Sequence, residues 1–234
     1  MRLADATWPE VTGAPLVLVP VGSLEQHGPH LPLDTDATIA VAVAEGAAAR
    51  LGALVAPPVV YGSSGEHQSF AGTSSIGTPV LRDLVVELVR SMRTWVGRVV
   101  LVNAHGGNLT AIVGAVAQLV HEQHDVAWVP CATEEVDLHA GVTETSLMLH
   151  LRPGSVRLDR AEAGDTRPLA EILPALVEGG IAAVSANGVL GDPAGATAQR
   201  GAELLETMVA DTVAAVRDGR ADERGRLVYH VHTG

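Results

Sequence analysis

The stretch L-V-L-V-P-V-G-S-L-E-Q-H-G-P-H-L-P-L-D-T-D, residues 16–36, decides how the rest of the chain is read. Its first six residues, Leu16–Val21, are all apolar and half of them are valine, which predicts a short buried strand. The loop that follows packs carboxylates and imidazoles closely together. Glu25 and His27 are two apart, so in an extended chain both side chains project to the same side and can share a metal ion. Asp36 comes after a Gly-Pro turn and a Leu-Pro-Leu spacer that can bring the chain back to the same point. A plain solvated loop is the alternative, but it has no use for this density of N and O ligands beside stiffening prolines.

Working outward, Thr35–Leu51 is rich in Ala, Val and Ile without Pro and ends at Gly52, which predicts a helix with a glycine stop. Residues 53–61 are apolar but carry two prolines and read as an extended run into a Gly/Ser-rich loop, 62–77. A helix is expected over 78–97, with Thr78 as N-cap and Pro79 at its first position. A strand over 98–102, the loop N-A-H-G-G-N at 103–108, a helix over 109–124 and a strand at Val126–Pro130 follow. This alternation predicts an α/β fold with a mainly parallel sheet and helices on both faces. In such sheets the loops at the carboxyl ends of the strands gather along one edge, so the loops of Glu25/His27 and of His105 are expected to meet. Further on, 143–151 reads as a helix, 179–195 as a Gly-rich loop and about 196–218 as a long final helix. The charged tail 219–234 is expected to be mobile as far as Leu227, with His230 and His232 in solvent.

The chain has 234 residues, 47% of them apolar, which suits one large domain spanning 1–234. Aromatic residues make up only 3% and the formal net charge is −12, so neither a stacking platform nor a basic stripe for nucleic acid is present. Cys131 is the single cysteine, so an internal disulfide or a four-cysteine zinc site is excluded and a cytoplasmic location is expected. No basic region followed by an apolar core opens the chain, and no apolar run reaches the roughly 18 residues that span a bilayer, so neither a signal peptide nor a membrane partner is expected.

Four clusters place His or carboxylate beside Gly: residues 25–36, Glu66-His67, the H-G-G-N at 105–108, and His139-Ala140-Gly141 with Glu144. Each alone has an ordinary structural explanation, but four in one α/β chain point to a site. Mixed imidazole and carboxylate ligands suit a pair of borderline divalent ions, Zn, Mn or Fe(II), which turn bound water into a nucleophile for a carbonyl. Serine chemistry near His67 lacks a G-x-S-x-G elbow, and a phosphate cradle at Gly106-Gly107 lacks a G-x-G-x-x-G or Walker pattern. A metal-binding module without catalysis is the alternative of a different class.

The segments V-P-V-G-S-L-E-Q-H-G-P-H-L-P-L-D-T-D (19–36), Y-G-S-S-G-E-H-Q-S-F-A-G-T (61–73), V-N-A-H-G-G-N (102–108), H-A-G-V-T-E-T-S (139–146) and G-V-L-G-D-P-A-G-A-T-A (188–198) resemble the creatininase family. The resemblance implies a metal-dependent amidohydrolase of three-layer α/β/α fold that forms homo-oligomers. It implies that Glu25, Asp36 and His105 hold one metal, that His27 and Asp36 hold a second with Asp36 bridging, and that His139 stands beside the substrate as the catalytic residue. Glu66 and His67 are expected to line the substrate pocket. Creatinine-hydrolysing members carry Tyr-Glu after the strand-end His, the Glu being a second-metal ligand. Here Gly106 and Gly107 stand there, and Glu144 is expected to supply the carboxylate, one helical turn from His139. Those members also bring tryptophan near the substrate just before that His, whereas residues 133–138 contain none. Within the family, the short length and the H-G-G-N form look most like members that cut a modified C-terminal Val-Tyr unit from a ribosomally made precursor peptide. Hydrolysis of a small cyclic amide or a formamide is the competing expectation.

Overall fold

A computed structural model describes residues 1–132 and 137–229 of the chain. A four-residue helix α1 (Trp8–Val11) precedes strand β1 (Leu16–Val21), helix α2 (Thr35–Leu51) and the two-residue strand β2 (Leu54–Val55). Helix α3 (Thr78–Met92), strand β3 (Arg98–Asn103), helix α4 (Leu109–His121) and strand β4 (Val126–Pro130) come next. Helices α5 (Val142–Leu151), α6 (Leu169–Gly179) and α7 (Ala198–Asp218) then lead to a hairpin of β5 (Arg220–Ala221) and β6 (Leu227–Val228).

β1, β2, β3 and β4 form one parallel sheet in the order β2-β1-β3-β4. Side chains alternate across it with the period of two that a strand imposes. Leu18, Val100, Val102, Ala127 and Val129 face α2, α5 and α7 in one core. Val17, Val19, Val21, Val99, Leu101 and Trp128 face α3 and α4 in the other. Both cores are apolar and buried, so each strand reads as a continuous apolar run and the fold is the expected three-layer α/β/α arrangement.

Several boundaries differ from the sequence reading for local reasons. Within the extended run 53–61 the strand that pairs with β1 is Leu54–Val55, continued by the Ala56 N–H to the Leu18 carbonyl at 2.9 Å; Pro57 and Pro58 have no N–H to give, and the run rejoins β1 through a bridge between Val21 and Val59. α3 stops at Met92 rather than at 97, and its N-cap is Gly77, with φ of 76°, so Thr78 already belongs to the helix. α4 ends at His121, where the N–H of His124 turns back to the Leu119 carbonyl at 2.9 Å. The stretch 219–226, expected to be mobile, instead joins Leu227–Val228 in an antiparallel hairpin whose Leu227 is buried against the α7 core. It is tied to β4 through Trp128, whose backbone N–H reaches the Gly225 carbonyl at 3.1 Å and whose indole N–H reaches the Arg224 carbonyl at 2.9 Å. His230 and His232 lie outside the described residues, as do residues 133–136. No helix among the described residues is long and apolar enough to cross a membrane.

Candidate metal centre

The carboxyl ends of β1 and β3 carry the chemistry, and close backbone approaches hold them together. A Cβ at Gly22 would lie 2.4 Å from the backbone nitrogen of Ala37, so only glycine lets the β1 exit touch the first turn of α2. That contact carries Asp36 back over the loop, and the N–H of Glu25 closes the return on the Leu33 carbonyl at 3.0 Å. Asn108, a residue whose part the sequence did not reveal, ties three loops at once. Its amide donates to the Gly22 carbonyl at 3.0 Å and to Asn103 Oδ1 at 3.1 Å, and its oxygen accepts the Ser63 N–H at 2.8 Å.

The structure brings Glu25, His27, Asp36, His105, His139 and Glu144 into one buried cluster. Ligand atoms of Glu25, Asp36 and His105 lie within 4.8 Å of one another, as do those of His27, Asp36 and Glu144, and those of Glu25, His27 and His139. Asp36 is common to the first two groups: its Oδ1 is 3.0 Å from His27 Nε2 and its Oδ2 is 3.2 Å from His105 Nδ1. Glu144 Oε2 is 3.9 Å from His27 Nε2 and also accepts the Ala140 N–H at 2.6 Å, so this oxygen serves the helix start as well. His139 is not one helical turn away from it. It precedes α5 on an antiparallel bridge to Leu190, and Ala140, at φ of 54°, turns the chain between them.

Outer hydrogen bonds orient the three rings. His105 Nε2 donates to the Ser63 carbonyl at 3.1 Å and His139 Nε2 to the Gln26 carbonyl at 2.8 Å, so in the neutral ring Nδ1 of each is a lone pair turned toward the carboxylates. His27 meets an acceptor on each side, the Glu25 carbonyl at 3.1 Å from Nδ1 and Asp36 Oδ1 at 3.0 Å from Nε2, so a neutral ring donating from Nδ1 leaves its Nε2 lone pair on Asp36. Meanwhile both oxygens of fully buried Glu25, and Asp36 Oδ2, have no hydrogen-bond partner among the described residues. Lone pairs facing buried anions at about 3 Å require positive charge between them, supplied by a cation or by protons. The ionisation of the cluster shows the same demand. Burial alone would lower His27, but Asp36, then Glu144 and Glu25, raise it to about 10, and His105 is likewise lifted well above its usual value. Glu25 is held at about 2, its burial and the nearby Asp36 outweighed by His105 and His27. The donor set therefore fits a divalent cation, each imidazole being oriented by an outer hydrogen bond in the way metal-binding histidines are.

Glu144 behaves differently: burial, and Asp36 beyond it, push its carboxyl up to about 7 although His27 opposes the rise. His139 stays neutral, its pKa driven well below the usual value by burial and by His27 and His67. Burial, and the nearby Asp36 after it, push the Cys131 thiol up, away from the thiolate that a nucleophile needs.

Glu66 and His67, expected to line the pocket, both border a cavity of about 1000 Å³ that opens over the cluster. Glu66 Oε1 is 3.5 Å from His105 Nε2 and His67 Nε2 is 3.2 Å from Glu25 Oε1. A Cβ at Gly107 would lie 2.3 Å from Glu66 Oε1 and 2.4 Å from the Ser63 carbonyl. The Glu66 carboxylate thus occupies the space that a side chain at position 107 would need. The far wall of the cavity is apolar. Leu169, Leu173 and Val177, at i, i+4 and i+8 along α6, form a stripe with Leu176 and Leu190 beside it.

The creatininase (creatinine amidohydrolase) family model matches residues 4–216. A mycofactocin precursor peptide peptidase of Mycolicibacterium smegmatis is 52% identical over 219 residues, covering 91% of this chain and 89% of the relative. Among solved structures, a manganese creatininase superposes with a TM-score of 0.78 at 30% identity, covering 92% of this chain and 97% of that one. A creatininase variant of Zn-Zn type superposes with a TM-score of 0.76 at 29% identity, covering 92% and 96%. The model match, the 52% identity and the shared fold together place this chain in the creatininase family.

Proposed function

We propose that this hydrolase cuts the modified C-terminal Val-Tyr unit from the mycofactocin precursor peptide at the Gly-Val bond, releasing a cyclised Val-Tyr product. The observation that carries it is the cluster of inward lone pairs and unpartnered carboxylate oxygens on the floor of a cavity whose far wall is apolar. About 1000 Å³ is far more room than a creatinine-sized ring fills, and the α6 stripe suits aliphatic and aromatic side chains rather than a small polar amide.

Glu25, Asp36 and His105 would hold one divalent ion and His27, Asp36 and Glu144 a second, with Asp36 bridging. Fe(II), Zn and Mn all accept this ligand set. Such ions polarise a carbonyl and generate a nucleophile from water at neutral pH. The protein's own share of the reaction is proton handling and positioning. His139, neutral and with its Nδ1 lone pair turned inward, takes a proton at that atom and passes it to the amine that leaves as the C–N bond breaks. Glu66, raised by burial, lies at the cavity wall where it can hold or orient the scissile amide. We read the molecule further as a cytoplasmic homo-oligomer, a reading supported by its family and by its single half-buried cysteine.

The test is mass spectrometry after incubating the metal-loaded protein separately with the modified precursor peptide, creatinine and a formamide. Cleavage of the peptide alone, reduced about 10²- to 10⁴-fold in kcat by His139→Gln with metal content unchanged, is expected. Turnover of creatinine or the formamide in its place would move the assignment to a small-amide hydrolase. No turnover of any of the three at full metal loading would leave a metal-binding module.

A further inference from the structure

Gln26 sits between two proposed ligands, and its side chain uses every hydrogen-bonding group it has. Its oxygen accepts the Gly28 N–H at 2.9 Å, and its nitrogen donates to the Gly188 carbonyl at 3.0 Å and to His67 Nδ1 at 2.8 Å. The Gly28 donor and the Gly188 acceptor fix which end of the amide is which. Glycine at 188, with φ of 81°, is what lets the loop come this close, since a Cβ there would lie 2.0 Å from Gln26 Oε1. Both amide hydrogens are thereby assigned, so the contact of 3.2 Å to His139 Nε2 is not a third bond.

The consequence falls on His67. Its Nδ1 must accept, so in the neutral ring its Nε2 carries the hydrogen, and that atom faces Glu25 Oε1 at 3.2 Å. A ring nitrogen that accepts carries no hydrogen of its own, so the ring is the neutral Nε2–H form. The approach is too oblique for a hydrogen bond, which leaves the Glu25 lone pairs open, but it puts a positive N–H dipole rather than a lone pair against the carboxylate. The main chain of the same residue does the reverse to His139. The Gln26 carbonyl takes the Nε2 hydrogen and leaves a lone pair inward, 3.9 Å from the same Glu25 oxygen.

We propose that Gln26 is a positioning residue that sets the tautomers of His67 and His139 in opposite senses, making His67 an N–H neighbour of Glu25 and His139 an acceptor. His67 then supports a ligand and is excluded from being one. The proposal rests on the reading of Glu25 as a metal ligand. Repelled by a lone pair at 3.2 Å, the Glu25 carboxylate would be displaced from the position in which it meets Asp36 and His105.

Two readouts test it on the full-length protein. Long-range ¹H–¹⁵N NMR correlation of histidine-labelled, Zn(II)-loaded protein reads the tautomers directly. His67 is expected to carry its proton on Nε2 in the wild type and to lose that preference in Gln26→Met. Zn(II) affinity, measured by competition with a chelating dye, is expected to weaken about 10- to 100-fold in Gln26→Met. In a His67→Gln background, where an amide N–H can face Glu25 without help from residue 26, the same change should cost less than about threefold. Wild-type His67 protonated on Nδ1, or an equal loss of affinity in both backgrounds, would overturn the proposal. Zn(II) binding that survives Glu25→Ala unchanged would instead overturn the ligand reading, while the tautomer measurement would still stand.

Discussion

Asp36 offers one oxygen to His27 and the other to His105, so it joins two groups that the chain brings from opposite ends of a long stretch of sequence. Asp36→Ala is accordingly expected to lower bound metal from the full complement to less than about one tenth, measured by elemental analysis after dialysis, while an exposed control such as Asp83→Ala leaves it unchanged. The same residues set a pH dependence. His27 rises from 6.5 to about 10 on folding, so its contribution to stability is complete below 6.5 and is lost as pH climbs toward 10. Glu25 falls from 4.5 to about 2, so its contribution is complete above 4.5 and is lost as pH drops toward 2. Folding also depresses His67 and His139, which withdraw stability as pH falls below 6.5, so chelator-treated protein should show its highest Tm near pH 6.5. Because metal binding requires deprotonated imidazole, the Tm gain on adding Zn(II) should widen from pH 6 to pH 9. A gain that shrinks over that range would contradict the inward lone pairs.

At the level of elements, Gly107 opens a helix start that no other residue could open here. The Cβ of Gly107→Ala would meet the Ser63 carbonyl at 2.4 Å and His105 Nε2 at 2.5 Å, neither of which yields without moving a loop or a proposed ligand. The variant is expected to lose about 1–3 kcal/mol in urea unfolding and to bind metal more weakly than the wild type. Elements with strong local signals were legible from residues alone. Leu16–Val21, Thr35–Leu51 and Val126–Pro130 begin and end where composition, a glycine stop or an apolar run says they should. The coming together of Glu25, His27, Asp36 and His105 was legible because loops at one edge of a parallel sheet have nowhere else to go. The role of Gln26 was not. Its position in E-Q-H makes it look like a spacer, and only the arrival of Gly188 and His67 from distant loops gives its amide partners. The helix of 78–97 was overrun because Arg93, Thr94 and Trp95 have ordinary helix propensities, whereas the approach of Gly97 to Pro15 ends the run by packing.

For the whole molecule, the two faces of one sheet divide the stability between them. Leu101 lies in the core under α3 and α4 and Leu18 in the core under α2, α5 and α7, each fully buried. Leu101→Ala and Leu18→Ala should each cost about 2–5 kcal/mol, with an unchanged urea m-value if both cores melt together. The hairpin on β4 has a further effect at this scale. In a parallel strand alternate N–H groups point outward, here those of Val126 and Trp128, while Pro130 has none to present. Trp128 gives its N–H to Gly225, so the 220–229 hairpin seals the flank at which foreign strands would otherwise add themselves. A chain cut after Asp218 should therefore leave the Trp128 N–H open and associate along β4, read as a concentration-dependent rise in sedimentation coefficient that the full chain does not show.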